Sequence, residues 1–162
     1  DVTYEISHVK NGKREFIISA DGIADAFPYV ELLVKSAPEL KLFSIIAFRP
    51  RIDGYEEFKL EYAGREFDVS KVWVYSRVED GFFDLIVYHP DFNEQESNIF
   101  ISGSYILLDM ALGEYDVVKN IRYIDHQELP ENPVELGLKP FADLRKVFDE
   151  YKMTNKPLKQ DS

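Results

Sequence analysis

Asp80-Gly81 separates two runs of alternating residues, Val72 to Val78 and Phe82 to His89. This feature constrains the fold of the chain more than any other. An Asp-Gly pair suits the two left-handed positions of a type I′ turn, whose twist matches that of antiparallel strands. A two-residue turn sets Val78 against Phe83, Ser76 against Leu85 and Val74 against Val87, on a face that belongs to the core. The opposite face pairs Arg77 with Asp84, Tyr75 with Ile86 and Trp73 with Tyr88, so it is amphipathic rather than wholly buried.

Similar punctuation recurs along the chain. Asn11-Gly12 lies between Tyr4 to Val9 and Arg14 to Ser19. A two-residue turn there puts Ile6 opposite Ile17 and His8 opposite Glu15, and sets Lys10 against Lys13. The lysine pair is mildly unfavourable, which leaves a slightly longer loop as the competing reading. Ala63-Gly64 joins the alternating Phe58 to Tyr62 stretch to Glu66 to Val69. Leu42 to Phe48 reads as a buried strand and Val117 to His126 as a further one.

Three segments have helical spacing. Asp25 to Ala37 carries Pro28 near its first turn and is ended by Pro38. Asn93-x-x-Glu96 resembles a capping box opening a helix that runs to Leu112, with Gly113 as its stop. That helix is apolar nearly all round, as a buried one is, and its small run Ser102-Gly103-Ser104 admits close approach of another backbone. Pro140 starts the last helix, whose Phe141, Leu144, Val147, Phe148 and Tyr151 form a core stripe. The expected fold class is α+β: a mostly antiparallel, twisted sheet of about six or seven strands with about three helices packed on one face. The 162 residues suit one domain over 1–153, followed by a polar, fraying tail over 154–162.

Charge is unevenly placed. The chain carries a net −11. Residues 1–52 and 119–162 each balance, while 78–118 hold Glu79, Asp80, Asp84, Asp91, Glu94, Glu96, Asp109, Glu114 and Asp116 and no Lys or Arg. A field of that sign repels nucleic-acid phosphates and anionic lipid surfaces and favours a basic protein or cations. Solubility alone is the plainer explanation of the same charge.

Glu114 and Asp116 stand out because they follow a helix C-terminus, where negative charge is unfavourable. They either serve a function or bond backbone amides, Lys119 or Arg122. If they serve a surface, neutralising them should cost little stability. Asp109 is the one charge in its apolar helix, and Arg49 and Arg51 are its candidate partners. Setting aside Asp109 as buried, and Glu94 and Glu96 as offset by a helix N-terminus, leaves Glu79, Asp80, Asp84, Asp91, Glu114 and Asp116 as contact acids. Trp73, Tyr75 and Tyr88 are the candidate aromatic anchors beside them.

Four segments resemble a bacterial family of unknown function, met as single-domain proteins and as parts of larger ones. They are Ile18 to Gly22 (ISADG), Leu32 to Pro50 (LLVKSAPELKLFSIIAFRP), Leu107 to Val117 (LLDMALGEYDV) and Glu135 to Tyr151 (ELGLKPFADLRKVFDEY). The likeness spans residues 15 to 152, with Leu112 to Asp116 its most distinctive part. It implies one α+β domain and transfers no activity and no catalytic residue.

The absence of Cys excludes disulfides, thiolate catalysis and Cys-based zinc sites. His8, His89 and His126 lack ligand spacing, and Gly-x-Ser-x-Gly, Gly-x-Gly-x-x-Gly and P-loop patterns are missing. No catalytic residue, metal ligand or cofactor is therefore assigned. The uncharged stretch Ser97 to Leu108 is shorter than a membrane span of roughly 18 residues. The cytoplasm is the favoured compartment, although the chain opens on Asp1 rather than Met and a removed leading segment stays open.

Two classes of function remain. The preferred one is a non-enzymatic protein-binding module that presents an acidic surface to a basic partner, for instance an immunity- or inhibitor-type protein. The other is a hydrolase or other enzyme with an acid-lined cleft, with or without a metal.

Overall fold

Turn chemistry and apolar spacing give the chain an α+β architecture. The computed structural model describes Val2 to Asn155, and residues 156–162 of the expected tail lie outside the described residues. In chain order the elements are β1 (Thr3–Ile6), β2 (Arg14–Ser19), α1 (Phe27–Ser36), β3 (Phe43–Ala47), β4 (Lys59–Tyr62), β5 (Arg65–Asp68), β6 (Trp73–Glu79) and β7 (Phe82–His89). Then follow α2 (Ser97–Leu112), α3 (Glu114–Asn120), β8 (Ile121–Glu128), β9 (Lys139–Pro140) and α4 (Leu144–Thr154). No helix of the described residues is long and apolar enough to cross a membrane. The described residues form two compact units, one up to Ile52 with Leu108–Lys119 and one of Asp53–Leu107 with the residues from Asn120 on.

In the first unit β2 pairs antiparallel with β1 and parallel with β3. Phe27 and Val30 of α1 pack on Ile18, Ala20 and Phe48 to make its core. Asn11 and Gly12 take φ of 53° and 78°, and Lys10 bridges Lys13 around them, so the tight turn forms despite the like charges. The register beyond it slips by one: Ile6 faces Phe16, not Ile17. The reason lies in Ser7, whose Oγ accepts the Glu15 N–H at 2.8 Å in place of a backbone carbonyl and leaves an extra residue on the first strand.

In the second unit the Asp80-Gly81 hairpin has the predicted register, with Val74 opposite Val87, Arg77 opposite Asp84 and Trp73 opposite Tyr88. Its inner face carries Val74, Phe83, Leu85 and Val87, all buried. The α4 stripe closes over this face, Phe148 and Tyr151 packing on Phe83 with ring centroids 5.3 and 5.2 Å away. The capping box also forms: Asn93 Oδ1 accepts the Glu96 N–H at 3.0 Å, and Asn93 Nδ2 donates to the Glu96 carboxylate at 2.8 Å.

Three expectations are corrected. The strands form sheets of three, two and four strands rather than one of six or seven. Asp68 accepts the Ser70 N–H at 3.0 Å and bends the chain after β5, so the β4–β5 hairpin does not run on into β6. Among the described residues the α-helices number four rather than three. Gly113, at φ 86°, ends α2, and the chain re-enters a helix at once, so Val117 to Asn120 are helical and the strand begins at Ile121. Finally, the small run in α2 admits a side chain rather than a backbone: the Phe67 ring lies where a Cβ on Gly103 would stand.

Candidate protein-binding face

The four-stranded sheet runs in the order β8-β7-β6-β9. Because β8 pairs parallel with β7, its side chains extend the outer face of the hairpin. Three rows cross that face: Arg77, Asp84 and Tyr123; Tyr75, Ile86 and Asp125; Trp73, Tyr88 and Gln127. Tyr75 and Tyr123 are 41% and 54% exposed, and Trp73, Ile86 and Tyr88 are half-buried, which leaves the rings open to solvent along one side.

None of the four rings of Trp73, Tyr75, Tyr88 and Tyr123 stacks on another ring, and none of their polar tips has a hydrogen-bond partner among the described residues. Asp125 lies on the same face, in the row of Tyr75 and Ile86, and accepts from Gln127 Nε2 at 3.1 Å. Burial, then the neighbouring charge of Asp125 and the Tyr75 hydroxyl, raise the Tyr88 phenol above its ordinary pKa. A neutral phenol beside a carboxylate keeps an O–H to donate and a ring face to offer a cation.

The end of the face near the turn is different. Phe83 aligns with Ile121 and Asp84 with Tyr123, so Arg122 is the extra residue of a bulge. Its guanidinium donates to Asp84 at 2.7 and 3.1 Å and to Glu79 at 2.9 Å, and Arg77 adds a 3.4 Å bond to Asp84. The Arg122 hydrogen bond is the main cause that holds the Asp84 carboxyl below its ordinary range.

This arrangement sorts the predicted site residues. Trp73, Tyr75 and Tyr88 do share one surface. Glu79 and exposed Asp80 edge it at the turn, close to Arg122. Exposed Asp91 follows β7. Asp84 is buried beneath two arginines and is no contact acid. The expected base-free field is interrupted here because β8 supplies a base from outside 78–118. Tyr123 and Asp125 were not anticipated, since a parallel pairing leaves no local signal in the sequence.

Glu114 and Asp116 belong to the first unit, and there the exposed acidic turn is overturned. Glu114 is fully buried. Its Oε1 accepts the N–H groups of Ala20 and Gly22 at 2.9 and 3.2 Å, and its Oε2 accepts that of Arg49 at 3.0 Å. Asp116 meets Arg51 at 3.3 Å. Both acids follow the end of α2, as expected, but they also open the first turn of α3, where negative charge is favourable. Asp109 does meet Arg49, at 3.5 Å, as expected. Burial first, and then Glu114, push its carboxyl up to about 7.

Of the imidazoles of the second unit, His89 has a structural partner and the buried Nε2 of His126 has none among the described residues. His89 Nε2 lies 2.7 Å from Ser104 Oγ, both groups are sealed from solvent, and Phe67 and Phe100 flank the imidazole. Among the described residues no three His, Asp or Glu side chains group to hold a metal ion.

Comparison with protein-family models, with curated proteins and with solved structures returns no match.

Proposed function

We propose that this chain is a protein-binding module that receives lysine and arginine side chains of a basic partner on the outer face of the β6–β7–β8 sheet. One observation carries the reading: four aromatic rings, whose polar tips have no partner among the described residues, share one sheet face with the Asp125 carboxylate. Tyr and Trp are enriched where a surface binds protein, because they bring large rigid area at small entropic cost. Cations gain further from ring faces, and a net −11 draws a basic partner in by long-range attraction. An inhibitor of the immunity type, directed at a basic toxin, is the concrete form that charge and size favour.

The alternative, an enzyme with an acid-lined cleft, has one group in its favour, the raised Asp109 carboxyl beside Arg49. That group is enclosed by Arg49 and Glu114, which makes it a weaker basis than the open face.

Trp73 is the only tryptophan, so its fluorescence reports on the face directly. A lysine-rich peptide should shift its emission in a salt-sensitive manner, because charges at the surface are screened within about 8 Å at physiological ionic strength. A glutamate-rich peptide should not. Replacing Tyr75 and Tyr88 by Ala should weaken the response by roughly tenfold or more. Emission indifferent to the lysine-rich peptide at low salt would discard the reading.

A further inference from the structure

The outer edge of β6 is only partly covered. β9 pairs with it at Trp73 and Val74 alone, and the Val72 carbonyl accepts the Phe141 N–H at 2.9 Å. Upstream of β9, Gly137 takes φ 75° and the Leu138 N–H turns to Pro133 O, so the chain leaves the edge there. Backbone groups alternate sides along a strand. Those of Val72 and Val74 face β9, and those of Ser76 and Val78 therefore face the same edge. Among the described residues nothing pairs with them.

Behind this open edge, between β6 and α4, lies a cavity of about 350 Å³ lined by Val74, Val78, Phe83, Val147, Tyr151 and Thr154. That is roughly an order of magnitude more than the ~30 Å³ share of one liquid water. The wall is mixed, with Ser76, Arg77, Lys139 and Glu150 beside these apolar side chains. Glu79 and Asp80 flank the far end of the edge, 50% and 83% exposed, and each keeps oxygens open beside its contact with Arg122.

We infer that β6 binds an extended segment of its partner by strand addition. Two N–H and two C=O groups, at Ser76 and Val78, supply the ladder. Alternate apolar side chains of the segment enter the cavity beneath, and a Lys or Arg between or beside them meets Glu79, Asp80 and the Tyr75 ring. Main-chain bonding gives such complexes affinity, and the pocket beneath gives them selectivity. The sign of the partner's charge rests on the function proposed above; the edge and the cavity do not. A second copy of β6 centred on Arg77 is disfavoured as occupant, because it brings the two Arg77 side chains face to face.

The probe is a synthetic peptide containing Lys-Val-Ser-Val-Lys, titrated into the whole chain and followed by backbone amide NMR. Signals of Ser76 and Val78 should shift. Val78→Pro removes an edge donor while sparing the β7 ladder, and Val147→Phe fills the cavity without touching the ladder. Each should weaken binding roughly tenfold, equivalent to about 1.4 kcal/mol. If shifts are confined to Trp73, Tyr88 and Tyr123 and both variants bind normally, strand addition is overturned while the outer-face reading stands. Equal binding of the Glu-Val-Ser-Val-Glu peptide would overturn the stated occupant along with the basic-partner reading. A dimer of the chain alone, lost in Val78→Pro, would assign the edge to a second copy and overturn the inference. Absence of any shift would do the same.

Discussion

The carboxylate of Glu114 accepts the backbone N–H of Arg49 at 3.0 Å, while the Arg49 side chain turns away to Glu5, Asp21 and Asp109. Together with the N–H groups of Ala20 and Gly22, this makes Glu114 a buried tie between the ends of β2 and β3 and the start of α3. Phe48, at φ 65°, turns the chain just before Arg49.

Glu114→Ala should therefore destabilise strongly. Three backbone donors lose a charged acceptor in a site without solvent, at a cost of about 3–5 kcal/mol. For a chain of this length that lowers Tm by roughly 10 °C. Glu114→Gln should lie between, since its amide NH₂ would face an N–H. A thermal melt of both variants distinguishes this tie from an exposed acid, whose replacement would leave Tm nearly unchanged.

Asp109 makes stability fall as pH rises from about 4 to about 7. Its folded pKa is raised to about 7, and an unfolded aspartate titrates near 3.9. Below about pH 4 both states hold the proton; between about pH 4 and 7 only the folded state holds it, so rising pH draws the protein towards the unfolded state. Asp109→Asn should flatten that decline and be the more stable chain at alkaline pH. Denaturant unfolding across this range reads the difference.

The histidines act at the acid end. Burial and then His126 depress His89 to about 4, and burial depresses His126, whose Nε2 has no hydrogen-bond partner. An unfolded histidine takes a proton near 6.5. Stability contributed by the neutral rings is complete above that pH and is lost as pH falls from about 6.5 towards 4. His126→Leu should weaken this acid dependence and raise Tm at pH 5 more than at pH 8, because it removes an unsatisfied nitrogen.

Gly103→Ala sets two effects against each other. Alanine favours a helix interior over glycine by about 1 kcal/mol. Its Cβ would overlap the Phe67 ring, which is itself buried against Phe100 and His89. Overpacking of this kind costs about 1–3 kcal/mol, so a net loss is expected. Phe67→Leu in the same chain should recover part of it, which a double-mutant melt would reveal.

Local chemistry alone determined several elements. Asp80-Gly81 and its flanking alternation specify the β6–β7 register, because a two-residue turn leaves no freedom in which residues face each other. The α4 stripe and the Asn93–Glu96 cap are equally local. Where a side chain substitutes for the backbone, as Ser7 does, the same rule misses by one residue. Gly113 marks the end of α2, but re-entry into α3 depends on Glu114 finding three amides from distant segments. The outer face was half legible: Trp73, Tyr75 and Tyr88 follow from the hairpin, whereas Tyr123, Asp125 and Arg122 arrive through the parallel β7–β8 pairing. Parallel neighbours are joined by long crossovers, so no short-range pattern encodes their register. Asp109 with Arg49 apart, the tertiary structure therefore decided which acids are neutralised by arginine, which are buried, and which remain open beside the aromatic rings.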